Sequence, residues 1–210
     1  MELVAASAET TSPNFRFLTQ AISRLSDEIY VNQATPDLQK SFLDALSKGQ
    51  ILSKLKVLEI LSEAKQRFSN AIFIGSWTGL LPYMLNMEGL VQSADGVEIS
   101  PVWAKISERV NRDWNWTSTI ADACQEPFWI DKKPQIVINT STEHMSYKWL
   151  DYVEKGTHVL MQSTNYVIDE HVNRADSLEE LIRSTKLSQI ISTANQELHF
   201  YNRFTVFGIK

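Results

Sequence analysis

Apolar positions along the chain change period near residue 67, and that change divides it. Before this point they recur at helical spacing. Phe17, Ile22, Leu25 and Ile29 can share one face of a helix over residues 14–30, and Leu38, Phe42 and Leu46 belong to a second that stops at Gly49. Ile51, Leu52, Leu55, Leu58, Ile60 and Leu61 belong to a third, which ends near Phe68. Between the first two helices Thr35 is placed to cap and Pro36 to occupy the first helical position. The first 13 residues are small and polar and read as a frayed end. Residues 1–66 are thus expected to form an N-terminal helical cap, followed by an α/β domain over residues 67–210.

In that second part short apolar runs alternate with helical patterns. Residues 71–74 read as a buried strand, and Leu80, Leu81, Met84 and Leu85 as the helix after it. Further strands are expected over 92–99, 116–120, 135–139, 158–162, 190–198 and 203–209. Ser100-Pro101 opens a helix through Val102, Ile106 and Val110, a short one lies around 147–153, and Ser177-Leu-Glu-Glu180 has the residues of a capping box. The last two strands are joined by His199-Phe-Tyr-Asn202, a link short enough to imply an antiparallel pair. Strands alternating with helices mean a mostly parallel, doubly wound sheet, here with an antiparallel finish.

Composition narrows the partners. With 210 residues, 43% of them hydrophobic, the chain can bury one sizeable core with an appendage. A net charge of −5, with acids and bases interspersed, offers no basic stripe for nucleic acid and favours a small or neutral substrate. The single cysteine, Cys124, excludes an intramolecular disulfide and a cysteine-rich zinc site. The start of the chain lacks the basic and apolar regions of a leader, and no apolar run approaches the ~18 residues of a membrane span. A cytoplasmic location is the resulting expectation.

Ligands of such sheets bind outside the carboxyl ends of the strands, so the residues there carry the functional information. The first strand ends in the turn Gly75-Ser-Trp77-Thr78-Gly79, the second at Glu98, the third before Asp122, and the fourth in Asn139-Thr-Ser141-Thr-Glu143-His144. A carboxylate closing the second strand suits a ribose diol, and one after the third can accept from an adenine amine.

In these residues the chain resembles the class I S-adenosylmethionine-dependent methyltransferases over about residues 67–210. The glycine turn, the acid in Gly96-Val-Glu98-Ile-Ser, the step Ala121-Asp122-Ala123, the run Ile136-Val-Ile-Asn139 and the closing strand Arg203-Phe-Thr-Val-Phe-Gly208 carry the resemblance. It implies a three-layer Rossmann-like sandwich whose seven-stranded, mostly parallel sheet ends in an antiparallel strand, with S-adenosylmethionine across the carboxyl edge. Gly75 and Gly79 would border the methionine part of the cofactor, Glu98 its ribose, and Asp122 with Ala123 its adenine. Trp77, Thr78, Ile99 and Asn139 complete that edge. Trp77 stands where the family has the middle glycine of Gly-x-Gly-x-Gly; its indole lies over the cofactor, closes the pocket to bulky substrates, or packs between turn and cap.

The cluster after the fourth strand falls where, by the same resemblance, the transferred methyl group meets the acceptor. His144 or Glu143 is the expected base for the acceptor, with His144 favoured because imidazole titrates near neutrality. Ser141, Gln162, Asn165 and His171 are expected to line a pocket for a small-molecule acceptor. No metal site is expected, since nothing in the spacing requires one. The weaker alternative is that Glu143, His144, Asp169 and the Glu170-His171 pair ligate an ion. Two other functions stay open: transfer of the cofactor's aminocarboxypropyl arm or its breakdown, and a cofactor-binding module without chemistry.

Overall fold

The computed structural model describes residues 13–31, 35–125 and 127–210. Residues 1–12 of the expected frayed end, part of the break after the first helix, and the side chain of Phe17 lie outside the described residues, whereas Pro13, expected in that end, opens the first helix. Three helices come first: α1 (Pro13–Val31), α2 (Pro36–Ala45) and α3 (Lys48–Glu63). Then follow β1 (Phe68–Ile74), α4 (Leu80–Met87), β2 (Val91–Glu98), α5 (Pro101–Val110), β3 (Asn115–Ile120) and β4 (Ile136–Asn139). The chain ends with α6 (Lys148–Asp151), β5 (His158–Thr164), α7 (Leu178–Thr185), β6 (Gln189–Glu197) and β7 (Asn202–Ile209). Two 3-10 turns, Pro127–Lys132 and Thr142–His144, precede β4 and α6.

The starts of these helices follow their capping residues. Thr35 accepts the N–H of Leu38, Ser100 that of Trp103 and Ser177 that of Glu180, with Pro36 and Pro101 at the first helical positions. Two ends differ from the sequence expectation. The third helix stops at Glu63, because Lys65 turns the chain out through a left-handed conformation (φ 53°), and Phe68 instead opens β1. Gly49 does not end a helix but lies in the first turn of α3, behind the cap Ser47. A Cβ there would stand 2.2 Å from the Tyr201 hydroxyl, so the glycine admits the β6–β7 hairpin against the helix.

The seven strands form one sheet in the order β3-β2-β1-β4-β5-β7-β6. Neighbours are parallel except at β7, which runs antiparallel to both β5 and β6. Alternation along the strands divides the interior between two faces. Phe73, Ile138 and Phe207 face a core shared with α1, α3, α4 and α5. Ile72, Ile74, Val137 and Val206 face a second, shared with Trp129, Trp149 and Leu181. The helices before β1 are layered directly on the first face: Leu25 and Ile29 of α1 and Leu58 and Leu61 of α3 are buried in its core. Among the described residues no helix is long and apolar enough to cross a membrane.

Candidate functional site

Backbone pairing brings the ends of the first three strands side by side. Gly75 N–H donates to Val97 O at 2.9 Å, and Ala121 N–H donates to Glu98 O at 3.1 Å. Gly75, Glu98 and Asp122 therefore border a common opening, a cavity of about 880 Å³, within the range of cofactor sites. Its lining also takes in Trp77, Ile99, Ala123, Ser141, Glu143 and His144.

Glu98 is buried and both of its oxygens hold backbone: Oε2 accepts the N–H of Trp77 (2.8 Å) and Oε1 that of Ser100 (2.9 Å). Each oxygen keeps a lone pair, so the side chain can anchor the turn and still accept from a diol. Asp122 is built alike, accepting from the Cys124 N–H and the Gln125 amide, each at 2.8 Å. Ile99, 70% exposed, stands beside them as an apolar lip.

The glycine turn divides its work. Gly75 has φ 66° and lies on the cavity, with Met145 and Ser141 at ordinary contact distance from where a Cβ would be. Gly79 (φ 72°) faces away, and a Cβ there would be 2.5 Å from Asn111 Nδ2 and 2.9 Å from Ser107 Cα of α5. Its close approach is to a helix, and neither Gly79 nor the buried Thr78 lines the cavity. Trp77 lines the cavity and also packs between turn and cap: its Nε1 donates to Ser41 of α2 (3.3 Å) and its ring meets Trp103 edge-on.

After β4 a polar framework shapes the far end of the cavity. Asn139 is fully buried and off the lining; its Oδ1 accepts the Ser141 N–H (2.9 Å) and so sets the turn. Glu143 is buried against Arg203, whose Nη1 donates to Oε1 at 2.5 Å while Nη2 donates to Thr140 O at 2.6 Å. His144 is exposed and meets His171 edge to face, with ring centroids 4.7 Å apart. Gln162, by contrast, is buried below the cavity and donates to Ser53 O and Thr205 Oγ1. Asn165 accepts the Asn202 N–H at the hairpin, so neither residue forms part of the lining. Asp169 and Glu170 are exposed and stand outside the group formed by Glu143, His144 and His171.

Asp44 of α2 and Gln50 of α3, neither singled out from the sequence, complete the enclosure with Arg203 of β7. Arg203 left one signal, a cation near the start of a mostly apolar strand. Near it Lys54 of α3 is buried, donates to Gln50 Oε1 (3.1 Å), and lies 5.7 Å from the centre of the Trp77 ring. Burial, and then the Arg203 charge, lower the Lys54 pKa from its usual 10.5 to about 7, with Asp44 opposing.

No protein-family model matches the chain, and no curated protein matches it in sequence. Solved structures do match in fold. The N-methyltransferase NodS from Bradyrhizobium japonicum WM9, in complex with S-adenosyl-l-homocysteine, aligns over 91% of this chain and 98% of its own, with a TM-score of 0.62 and 12% identity. MtNAS in complex with MTA and tNA aligns over 92% of this chain and 70% of its own (TM-score 0.57, 14% identity). Phosphoethanolamine N-methyltransferase 2 from Haemonchus contortus, in complex with phosphomonomethylethanolamine and S-adenosylhomocysteine, aligns over 73% and 52% (TM-score 0.56, 14% identity). The fold is therefore that of the class I S-adenosylmethionine-dependent methyltransferases.

Proposed function

We propose that the chain binds S-adenosylmethionine and transfers its methyl group to a small-molecule acceptor. The observation that carries this reading is the convergence of Gly75, Glu98 and Asp122 on one cavity at the carboxyl edge of the sheet. Glu98 accepts from the ribose hydroxyls, Asp122 and Ala123 border the adenine against Ile99, and the turn from Gly75 through Trp77 borders the methionine arm. Thr78, Gly79 and Asn139 support that edge from behind. Two N-methyltransferases of the same fold, crystallised with S-adenosylhomocysteine, support the choice of cofactor.

The acceptor lies toward Ser141, Glu143 and His144, with His171, Gln162 and Asn165 in the structure around it. Its oxygen or nitrogen lone pair attacks the methyl carbon in line with the sulfonium, the C–S pair passes to sulfur, and S-adenosylhomocysteine leaves. His144 takes the acceptor proton, and Glu143 is positioned by Arg203. The helices α1 to α3 act as a cap over the 67–210 cofactor domain, since Asp44 of α2 and Gln50 of α3 line the cavity from that side. The walls that Asp44 and Gln50 add to the cavity and a net charge of −5 favour a small acceptor over nucleic acid, and a cytoplasmic location is part of this proposal.

The aminocarboxypropyl reading keeps one specific support, the likeness to MtNAS, a structure that contains MTA. Mass spectrometry of products from S-adenosylmethionine with a pool of cell metabolites separates the two: S-adenosylhomocysteine supports methyl transfer, and methylthioadenosine overturns it. Calorimetry that detects no S-adenosylmethionine binding, with a biological activity unchanged in Glu98→Ala, would instead identify a module without chemistry.

A further inference from the structure

Glu143, His144 and His171 come from two stretches of chain, the 3-10 turn after β4 and the loop after β5. One ligand-competent atom of each lies within 4.8 Å of the others. Ligands on one tetrahedral zinc ion at about 2.0–2.2 Å stand about 3.3–3.6 Å apart, so closure on an ion asks each side chain to move inward by about 1 Å.

Two details show a prepared site. His171 Nδ1 donates to the Tyr166 carbonyl at 2.7 Å. That bond fixes the tautomer and leaves Nε2 with a free lone pair, the arrangement that metal-binding imidazoles show. Glu143 is 2% exposed, and while its Oε1 is held by Arg203, its Oε2 is buried without any hydrogen-bond partner. A buried carboxylate oxygen that accepts nothing is costly unless a cation or donor is meant to meet it. The loop is also tied to the turn, since Asn173 donates its backbone N–H to Glu143 O and its amide to Met145 O, each at 2.9 Å.

We propose that Glu143, His144 and His171 hold a divalent transition-metal ion at the acceptor end of the cavity. Two imidazoles and one carboxylate suit zinc, manganese or iron(II) and disfavour calcium and magnesium, which prefer oxygen. Three protein ligands leave a coordination position for the acceptor. With the ion bound His144 is a ligand, and the ion takes over the lowering of the acceptor pKa. The acceptor O–H or N–H loses its proton to solvent, and its lone pair then displaces the sulfonium sulfur from the methyl carbon. This catalytic part rests on the methyl-transfer reading; the binding part does not.

The test is calorimetric titration of the tag-free, chelator-treated full chain with Zn²⁺ and with Mn²⁺. One ion per chain is expected for at least one of the two metals. His144→Ala and His171→Ala are each expected to weaken binding at least tenfold, and Asp169→Asn to leave it unchanged. Circular dichroism checks that the variants fold, and His171→Asn provides a second, smaller change. Binding that neither imidazole variant weakens, or no binding of either metal, overturns the proposal. Titration of the same samples with S-adenosylmethionine keeps the two readings apart. Metal binding without cofactor binding removes the methyl-transfer reading alone, and the reverse removes the metal site alone. Product formation that continues in chelator overturns the catalytic part.

Discussion

Glu98 Oε2 accepts the backbone N–H of Trp77 at 2.8 Å, so the carboxylate that closes β2 also holds the central residue of the glycine turn in a left-handed conformation (φ 44°). That conformation costs about 1–2 kcal/mol in a residue bearing a Cβ, and a charge-assisted hydrogen bond is of the size needed to offset it. Glu98→Ala is expected to lose about 1–3 kcal/mol in urea unfolding together with S-adenosylmethionine binding in calorimetry. Glu98→Gln, which keeps one carbonyl acceptor, should recover part of the stability and little of the affinity. A Glu98→Ala protein as stable as wild type would show that the carboxylate does not hold the turn.

The two glycines of that turn should separate on substitution. Gly79→Ala brings a Cβ within 2.9 Å of the Ser107 backbone at φ 72°, so both backbone strain and overpacking apply. A loss of about 2–5 kcal/mol is expected, with the cofactor affinity of the folded fraction unchanged. Gly75→Ala meets only ordinary contacts and should cost about 1–2 kcal/mol. Its methyl group lies at the cavity edge, so affinity falls with it. Thermal unfolding and calorimetry on the two variants give the comparison.

This division also marks how far the chain could be read without its structure. Parallel pairing and the antiparallel return of β7 follow from alternating apolar runs and a short last connection, because each strand carries its own period and each link its own length. Glu98 and Asp122 were legible for the same reason: they end strands, and strand ends in such a sheet share one rim. Gly79 was not, since its neighbour Asn111 lies 32 residues away and no local pattern records that contact. Arg203 and Gln162 fail alike. Whether a polar residue in a buried strand faces a ligand or satisfies its neighbours depends on what packs opposite, here Glu143 for the first and Ser53 with Thr205 for the second.

The Arg203–Glu143 pair is buried on both sides, with side-chain exposures of 6% and 2%. Removing one member leaves the other charge without compensation, so Arg203→Met and Glu143→Gln should each lose about 3–5 kcal/mol in chelator-treated protein. The double variant should lose less than the sum, because neither charge is then stranded. Additive losses in a double-mutant cycle by urea unfolding would mean that the two side chains act independently.

Lys54 sets the pH dependence. Its pKa is lowered to about 7 in the folded protein by burial and by Arg203, against 10.5 for an ordinary lysine. Between these values the unfolded chain binds a proton that the folded chain does not, so stability rises as pH climbs through that window, by up to about 1.4 kcal/mol per unit. Below pH 7 both states are protonated and the penalty of burying the ammonium is fully present. Other shifted groups act outside the range from pH 7.5 to 9.5. His158 is lowered by burial from 6.5, so its contribution is complete above that value and is lost only as pH falls further. Tyr147 and Tyr201 are raised by burial above 10 and act only beyond it. Urea unfolding should therefore show wild type gaining stability between pH 7.5 and 9.5, whereas Lys54→Met is already more stable at pH 7.5 and shows no such rise. A slope that survives in Lys54→Met would assign the titration to another group and leave Lys54 an ordinary cation beneath the Trp77 ring.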